Sequence, residues 1–324
     1  MKELPFISDF LPQPTPVHEL KRLSEYLGGK VKLIVKRDDL TVLPMGGNKT
    51  RKLAYLMHDA LQQGAEIVLT TGALQSNHCR QTAAAARILG LKPVLLLAGE
   101  PPSRPTGNLL LDRLMDAEIR WTTRERRQED LEFLYLQLKS EGRKPYLIPY
   151  GGSNPLGASA YAYALRELVE IQGVVPDAIV FASSSGGTQA GLVAGAKMLG
   201  YQGQIVGISV DEPEDVLKER VANLASAITE LLGQPMDIHA DEIVVIDEYA
   251  KPGYGVMTEK ERNAILTCAR VQGLLVDPVY TGRAMAALMD LVRNGYFSED
   301  SLVLFWHTGG TPALFAEPYS SSLL

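Results

Sequence analysis

Only two cysteines, Cys79 and Cys268, occur in the 324 residues, far apart and in no C-x-x-C or Cys/His spacing. That excludes a disulfide framework, argues against a zinc site or other bound metal, and fits a reducing, cytoplasmic setting. Long apolar runs are missing as well: Lys or Gly ends each of them short of the roughly 18 residues a membrane helix needs. Basic charge is scarce. With 32 Lys and Arg against 38 Asp and Glu, the formal net charge is -6, and no Lys/Arg cluster supplies the basic face a nucleic-acid partner would require. The first residues, with Glu3, Pro5, Asp9 and Pro12, lack the basic and apolar regions of a secretory signal. No period of 20 to 50 residues recurs, which sets aside solenoids and propellers.

What remains is an ordinary globular composition, 46% hydrophobic and 22% charged, in a length that suits two lobes. Short aliphatic runs predict strands at 31–36, 66–70, 93–97, 145–149, 178–182, 204–210, 242–246 and 301–306. Between them, helical spacing predicts helices at 52–62, 75–89, 109–117, 128–140, 156–171, 188–199, 214–232, 259–272 and 282–294. Alternation of this kind gives an α/β fold of mostly parallel sheets flanked by helices. No clean linker divides the chain, so one lobe is expected inside the other: a small α/β lobe, 51–157, inserted between 1–50 and 158–324. Asn48 is expected to cap the first long helix, and the charged run Arg124 to Asp130 to be a solvated loop.

Three glycine-rich turns carry the chemistry. Gly46-Gly47-Asn48-Lys49 delivers a lysine to a helix start, where the positive helix end, burial and neighbouring cations lower an amine's pKa and make it nucleophilic. It is not a nucleotide-binding P-loop, which needs glycine directly before the lysine; a surface lysine in a flexible turn is the plain alternative. Ser183-Ser184-Ser185-Gly186-Gly187-Thr188 follows an apolar strand and opens a helix, forming a nest of N–H groups that suits one phosphate, or else a tight turn needed for packing. With no Lys or Arg in that loop, a phosphomonoester fits better than a triphosphate. Gly72-Ala73-Leu74-Gln75-Ser76-Asn77-His78 also stands between strand and helix, with Ser76 as N-cap and free N–H donors that favour a carboxylate. Two further turns place Tyr254 and Tyr280 beside glycines, where a phenol can move a proton or simply be buried. Trp306-His307-Thr308-Gly309-Gly310 closes a strand at the sheet edge where such folds bind ligands.

In this order, the clusters resemble the fold-type II pyridoxal-phosphate enzymes (tryptophan synthase beta-like), specifically the D-cysteine desulfhydrase and 1-aminocyclopropane-1-carboxylate deaminase family. The resemblance runs from Pro14-Thr15-Pro16 and Lys36-Arg37-Asp38-Asp39 to His307-Thr308-Gly309-Gly310. It implies pyridoxal 5'-phosphate as cofactor and Lys49 as its Schiff-base lysine. Asn77 would lie against the cofactor ring, Ser184, Ser185, Gly186, Gly187 and Thr188 would hold its phosphate, and Thr281 and Thr308 would complete its site. Ser76, Asn77, His78, Tyr254 and Tyr280 would meet a small amino-acid substrate, with Ser76 and both tyrosines taking part in the reaction. A homodimer is implied too.

Where the ring-opening deaminases of this family have Gln, Glu and Leu, this chain has His78, Thr281 and Thr308, as the desulfhydrases do. A neutral Thr beside the ring nitrogen suits a short-lived carbanion that expels a good leaving group. The expected reaction is therefore α,β-elimination of D-cysteine to pyruvate, sulfide and ammonia, with the deaminase and L-cysteate sulfo-lyase reactions as alternatives. A non-catalytic α/β binding protein is the alternative from another class.

Overall fold

The computed structural model describes residues 1–323. Ten strands form two sheets: β1 (Val17–Glu19), β2 (Lys32–Arg37), β3 (Ile67–Ala73), β4 (Lys92–Ala98), β5 (Glu118–Thr122), β6 (Pro145–Leu147), β7 (Ala178–Ser183), β8 (Gln204–Ser209), β9 (Val244–Ile246) and β10 (Leu302–His307). The helices are α1 (Lys21–Tyr26), α2 (Lys49–Gln62), α3 (Asn77–Ile88), α4 (Gly107–Leu114), α5 (Arg127–Ser140), α6 (Pro155–Arg166), α7 (Gly187–Leu199), α8 (Glu214–Leu231), α9 (Glu259–Thr267), α10 (Thr281–Arg293) and α11 (Tyr319–Leu323). Short π turns extend α6 to Ile171 and α9 to Gln272.

The larger sheet runs β1-β2-β10-β7-β8-β9, parallel except for the antiparallel edge strand β1. The smaller runs β5-β4-β3-β6 and is parallel throughout. Strands buried on both faces, such as β7 (Ala178–Ser183), need helices on each side. Leu192 and Val221 from α7 and α8 cover one face of the large sheet; Ile265, Met285 and Leu288 from α9 and α10 cover the other. Helices α6 and α7 lie unusually close, because a β-carbon at Gly195 would come within 2.9 Å of Ala162 Cα.

Two strands escape the hydrophobic pattern. β5 alternates Ile119 and Trp121 with Glu118 and Arg120, the period-two signal of a half-exposed edge strand rather than an aliphatic run. β1 has only three residues. Asn48 does not cap α2: its backbone is helical and its side chain makes no cap bond, because Nδ2 instead donates to Thr188 Oγ1 at 3.0 Å. The Arg124 to Asp130 run is not a free loop either, since α5 begins at Arg127.

Behind α2 lies a buried ionic cluster that explains the Lys36-Arg37-Asp38 sequence. Arg51 donates through Nε to both oxygens of Asp38 at 3.0 Å and through its terminal nitrogens to Glu167 at 2.9 Å. Lys36 Nζ meets Glu167 at 2.5 Å, and Tyr161 and Trp306 each donate to Asp38 Oδ2. Burial alone would raise both carboxyl pKa values, but the Arg51 guanidinium wins and holds Asp38 and Glu167 below their ordinary range. Folded-state values below the unfolded ones mean that this stabilisation is complete above the unfolded pKa and lost as pH falls through the folded value. Removing one buried partner costs about 3–5 kcal/mol. Arg51→Met should therefore lower urea-unfolding stability by about that much at pH 7, and by progressively less as the pH falls below the ordinary carboxylate range, where the unmodified protein loses the benefit as well.

Candidate active site

The lysine turn is held at fixed points before the helix begins. Gly46 and Gly47 have φ of 56° and 124°, conformations that favour glycine, and a β-carbon at Gly46 would overlap the Asp39 carbonyl. Gly47 N donates to Asp38 O at 2.9 Å and to Thr41 Oγ1 at 2.8 Å, and Asn48 N donates to Thr308 O at 3.0 Å. Lys49 is thus the first residue of α2, and its side chain lines a cavity between the two sheets. Burial brings its amine pKa down to about 8.

A second lysine stands one turn along. Lys49 and Lys52 share a helix face by their i, i+3 spacing, and Lys52 is 1% exposed. Its Nζ reaches Gly151 O and Ser153 Oγ, both at 3.2 Å, and Ser153 Oγ reaches Ser185 Oγ at 2.8 Å. A β-carbon at Gly187 would lie 2.7 Å from Lys52 Nζ. Burial, then the Lys49 charge, push the Lys52 pKa well down; no carboxylate forms an ion pair with it among the described residues. The Ser183 hydroxyl of the same turn is buried without a hydrogen-bond partner. A buried amine, the Ser153 and Ser185 hydroxyls linked to it and the N-terminus of α7 converge where Gly187 leaves room. That combination is complementary to a phosphate.

Opposite, α3 is capped by Ser76, whose Oγ accepts from Cys79 N at 3.2 Å and which also lines the cavity. Asn77 and His78 follow, both lining the same space. The histidine's tautomer follows from its neighbours: Thr70 Oγ1 donates to Ile148 O at 2.9 Å, so His78 Nε2, 2.8 Å away, must donate to Thr70. Nδ1 is left as a buried acceptor without a partner. Burial and the two lysines push the His78 pKa well below its ordinary value, so the ring is neutral.

Tyr280 lines the cavity, and its hydroxyl lies 2.5 Å from that of Tyr254, which stands one step further out. Burial raises both phenol pKa values well above the ordinary range, so each keeps its proton at neutral pH. Arg283 ties their loops together, donating to the Gly253 and Val256 carbonyls at 3.2 and 2.8 Å while Glu261 accepts from its Nε at 2.7 Å.

Ser184, Ser185, Gly186, Thr188 and Thr308 also border the cavity, as the sequence predicts. Thr281 does not: it is fully buried behind Tyr280 and Gly309, its hydroxyl donating to Asp277 Oδ1 at 2.6 Å and accepting from Asp277 N at 2.7 Å. Its hydroxyl is committed to shaping the start of α10.

Other residues of the site lie outside the sequence expectations. Lys52 is legible in principle from its spacing to Lys49. Tyr150 lines the cavity with Arg127 stacked 4.1 Å over its ring, and Arg124 meets Asp211 at 3.4 Å, so Asp211 and the charged run line a second pocket that shares Tyr150 with the cavity. Nothing local marks those contacts, which join segments some 25 to 90 positions apart.

Comparisons with known proteins agree with this geometry. A family model described as pyridoxal-phosphate dependent enzyme matches residues 9–309. A crystal structure described as an ACC deaminase homologue is 38% identical, with TM-score 0.91, over 99% of this chain and 96% of that one. A pyridoxal 5'-phosphate-dependent aspartate racemase, 18% identical with TM-score 0.67 over 96% of each chain, shares the fold. So does a threonine deaminase from T.th., 18% identical with TM-score 0.64 over 94% of this chain and 98% of that one.

Proposed function

From the premise that the chain belongs to the pyridoxal-phosphate dependent enzyme family, with pyridoxal 5'-phosphate as its cofactor, we propose that it is a carbon–sulfur lyase converting D-cysteine and water to pyruvate, sulfide and ammonia. One observation carries the site assignment: Lys52, a buried amine with no ion-pair partner among the described residues, reaches Ser153 Oγ and through it Ser185 of the serine-glycine turn, which lines the cavity together with Lys49. A phosphate and a reactive carbonyl belong to one cofactor, and these residues match both ends. Lys52, Ser184, Ser185, Gly186, Gly187 and Thr188 would hold the phosphate.

Bound, the cofactor supplies an electron sink that makes the Cα proton of an amino acid removable. Lys49 Nζ, lowered toward neutrality by burial, is the group that carries the cofactor and then takes the Cα proton. Ser76 Oγ and the backbone N–H groups opening α3 would hold the substrate carboxylate. Tyr280, backed by Tyr254 at 2.5 Å, still holds its phenolic proton and can deliver it to the departing sulfur. Water is restricted by Tyr150 and, in the second pocket, by the Arg124–Asp211 contact.

The D-cysteine reading is supported by the residues at three positions, His78, Thr281 and Thr308, where this chain resembles the desulfhydrases. A deaminase reading is favoured by the 38%-identical structure, an ACC deaminase homologue. Oxo-acid release from D-cysteine, L-cysteine, L-cysteate and 1-aminocyclopropane-1-carboxylate, measured side by side on cofactor-loaded protein, tests the choice. Pyruvate and sulfide chiefly from D-cysteine are the expected result; a four-carbon oxo acid from the cyclopropane, or sulfite from L-cysteate, would replace the substrate and retain the site. The family resemblance also supports a homodimer, and Leu114 and Phe315, on neighbouring elements, are 72% and 64% exposed. Light scattering should give twice the mass of one chain.

A further inference from the structure

Asn77 reaches the cavity at the end of a chain of buried polar side chains that has only one possible direction. Arg80 Nε lies 2.9 Å from Asn108 Oδ1, and arginine has no acceptor, so that end of the Asn108 amide must be oxygen. The other end, Nδ2, lies 2.9 Å from the Gln75 carbonyl, which can only accept, and 2.9 Å from Asn77 Oδ1. Both protons of Asn108 Nδ2 are thereby committed, and the Asn77 atom that receives one of them must be its oxygen. Asn77 therefore turns Nδ2, a donor, toward the cavity it lines. Arg80 and Asn108 are both 0% exposed, so water does not readily substitute for either. Arg80 also donates to the Pro44 carbonyl and, at 3.0 Å, to the Gly46 carbonyl. One guanidinium thus fixes both the lysine turn and the orientation of the Asn77 amide.

We propose that Arg80 and Asn108 are positioning residues that lock Asn77 as a hydrogen-bond donor toward the bound cofactor. This rests on the pyridoxal-phosphate reading and deepens it. A donor in that place stabilises negative charge on a ring oxygen; a flipped amide would present a lone pair and repel it. The locked direction removes the alternative orientation before the cofactor arrives, so no binding energy is spent on selecting it.

The test exchanges one atom. Asn108→Asp keeps the shape and the acceptor for Arg80 but removes the donor for Asn77, which must then turn its own Nδ2 inward and its oxygen to the cavity. Two readouts are taken on the holoenzyme: the dissociation constant for pyridoxal phosphate, and the pH midpoint of its bound visible absorbance. Asn108→Asp is expected to weaken binding about tenfold or more and move the midpoint upward, because the ring oxygen ionises less readily against a lone pair. Asn108→Ala, which neither donates nor accepts, should fall between Asn108→Asp and the unmodified protein in midpoint. If Asn108→Asp fails to fold, the Asn108→Ala midpoint decides alone: an upward shift supports the lock and an unchanged one overturns it. Unchanged midpoints in both variants, with a normal band in the unmodified protein, would overturn the lock and leave the proposed function standing. Absence of any cofactor band in the unmodified protein would overturn both.

Discussion

Lys49→Ala is expected to reduce oxo-acid release by at least about 10⁴-fold while leaving the fold intact. No other group is suited to take over: the nearest amine, Lys52 Nζ, is turned to Gly151 O and Ser153 Oγ, and burial and the two lysines hold the His78 pKa well below its ordinary value, which makes its free Nδ1 a weak base. Lys49→Arg should be as inactive as the alanine variant, because a guanidinium keeps the charge but does not lose its proton. That pair separates a requirement for positive charge from a requirement for a basic nitrogen. The pKa of about 8 adds a pH signature to cofactor uptake by the cofactor-free protein. Below that value the amine is protonated and unreactive, so the uptake rate should climb about tenfold per pH unit and level off above it. A rate that stays constant from about pH 6 to about pH 8 would contradict the assignment.

The second large effect has opposite signs in two states of the protein. Lys52→Met should weaken pyridoxal-phosphate binding by about 10- to 150-fold, corresponding to a hydrogen bond to a charged group worth about 1.5–3 kcal/mol. The same change should raise the thermal stability of the cofactor-free protein, because it removes a buried cation that lacks an ion-pair partner. Inorganic phosphate should stabilise the unmodified protein and have little effect on the variant. Calorimetry on both forms with and without phosphate reads all three results. Loss of stability in the cofactor-free variant would show Lys52 to be a packing residue.

The fold is readable because its interior strands are aliphatic runs between long helical patterns, and burial on both faces demands that pattern. It fails to be readable where the signal is of another kind: β5, whose Glu118 and Arg120 face outward from a sheet edge, and β1, a strand of three residues. Of the site, the glycine turns are legible because their backbone requirements are local: Gly46 must avoid the Asp39 carbonyl, and Gly187 must leave room before Lys52. Asn48 and Thr281 show the limit. Each hydroxyl or amide can serve several partners: a distant residue, Thr188, takes the Asn48 amide, and a carboxylate four residues earlier in the chain, Asp277, takes the Thr281 hydroxyl. Asn108 and Arg80 are invisible because a relay through two helices and a turn has no sequence period.

Two lysines of lowered pKa stand one turn apart on α2, and the central claim gives them different tasks: Lys49 bonds to the cofactor's carbonyl carbon and Lys52 to its phosphate by charge alone. Borohydride reduction of the cofactor-loaded protein makes the covalent bond permanent, and peptide mass mapping then locates it. The pyridoxyl mass is expected on Lys49, with Lys52 unmodified; the mass on Lys52, or on neither lysine, would contradict the assignment of the site.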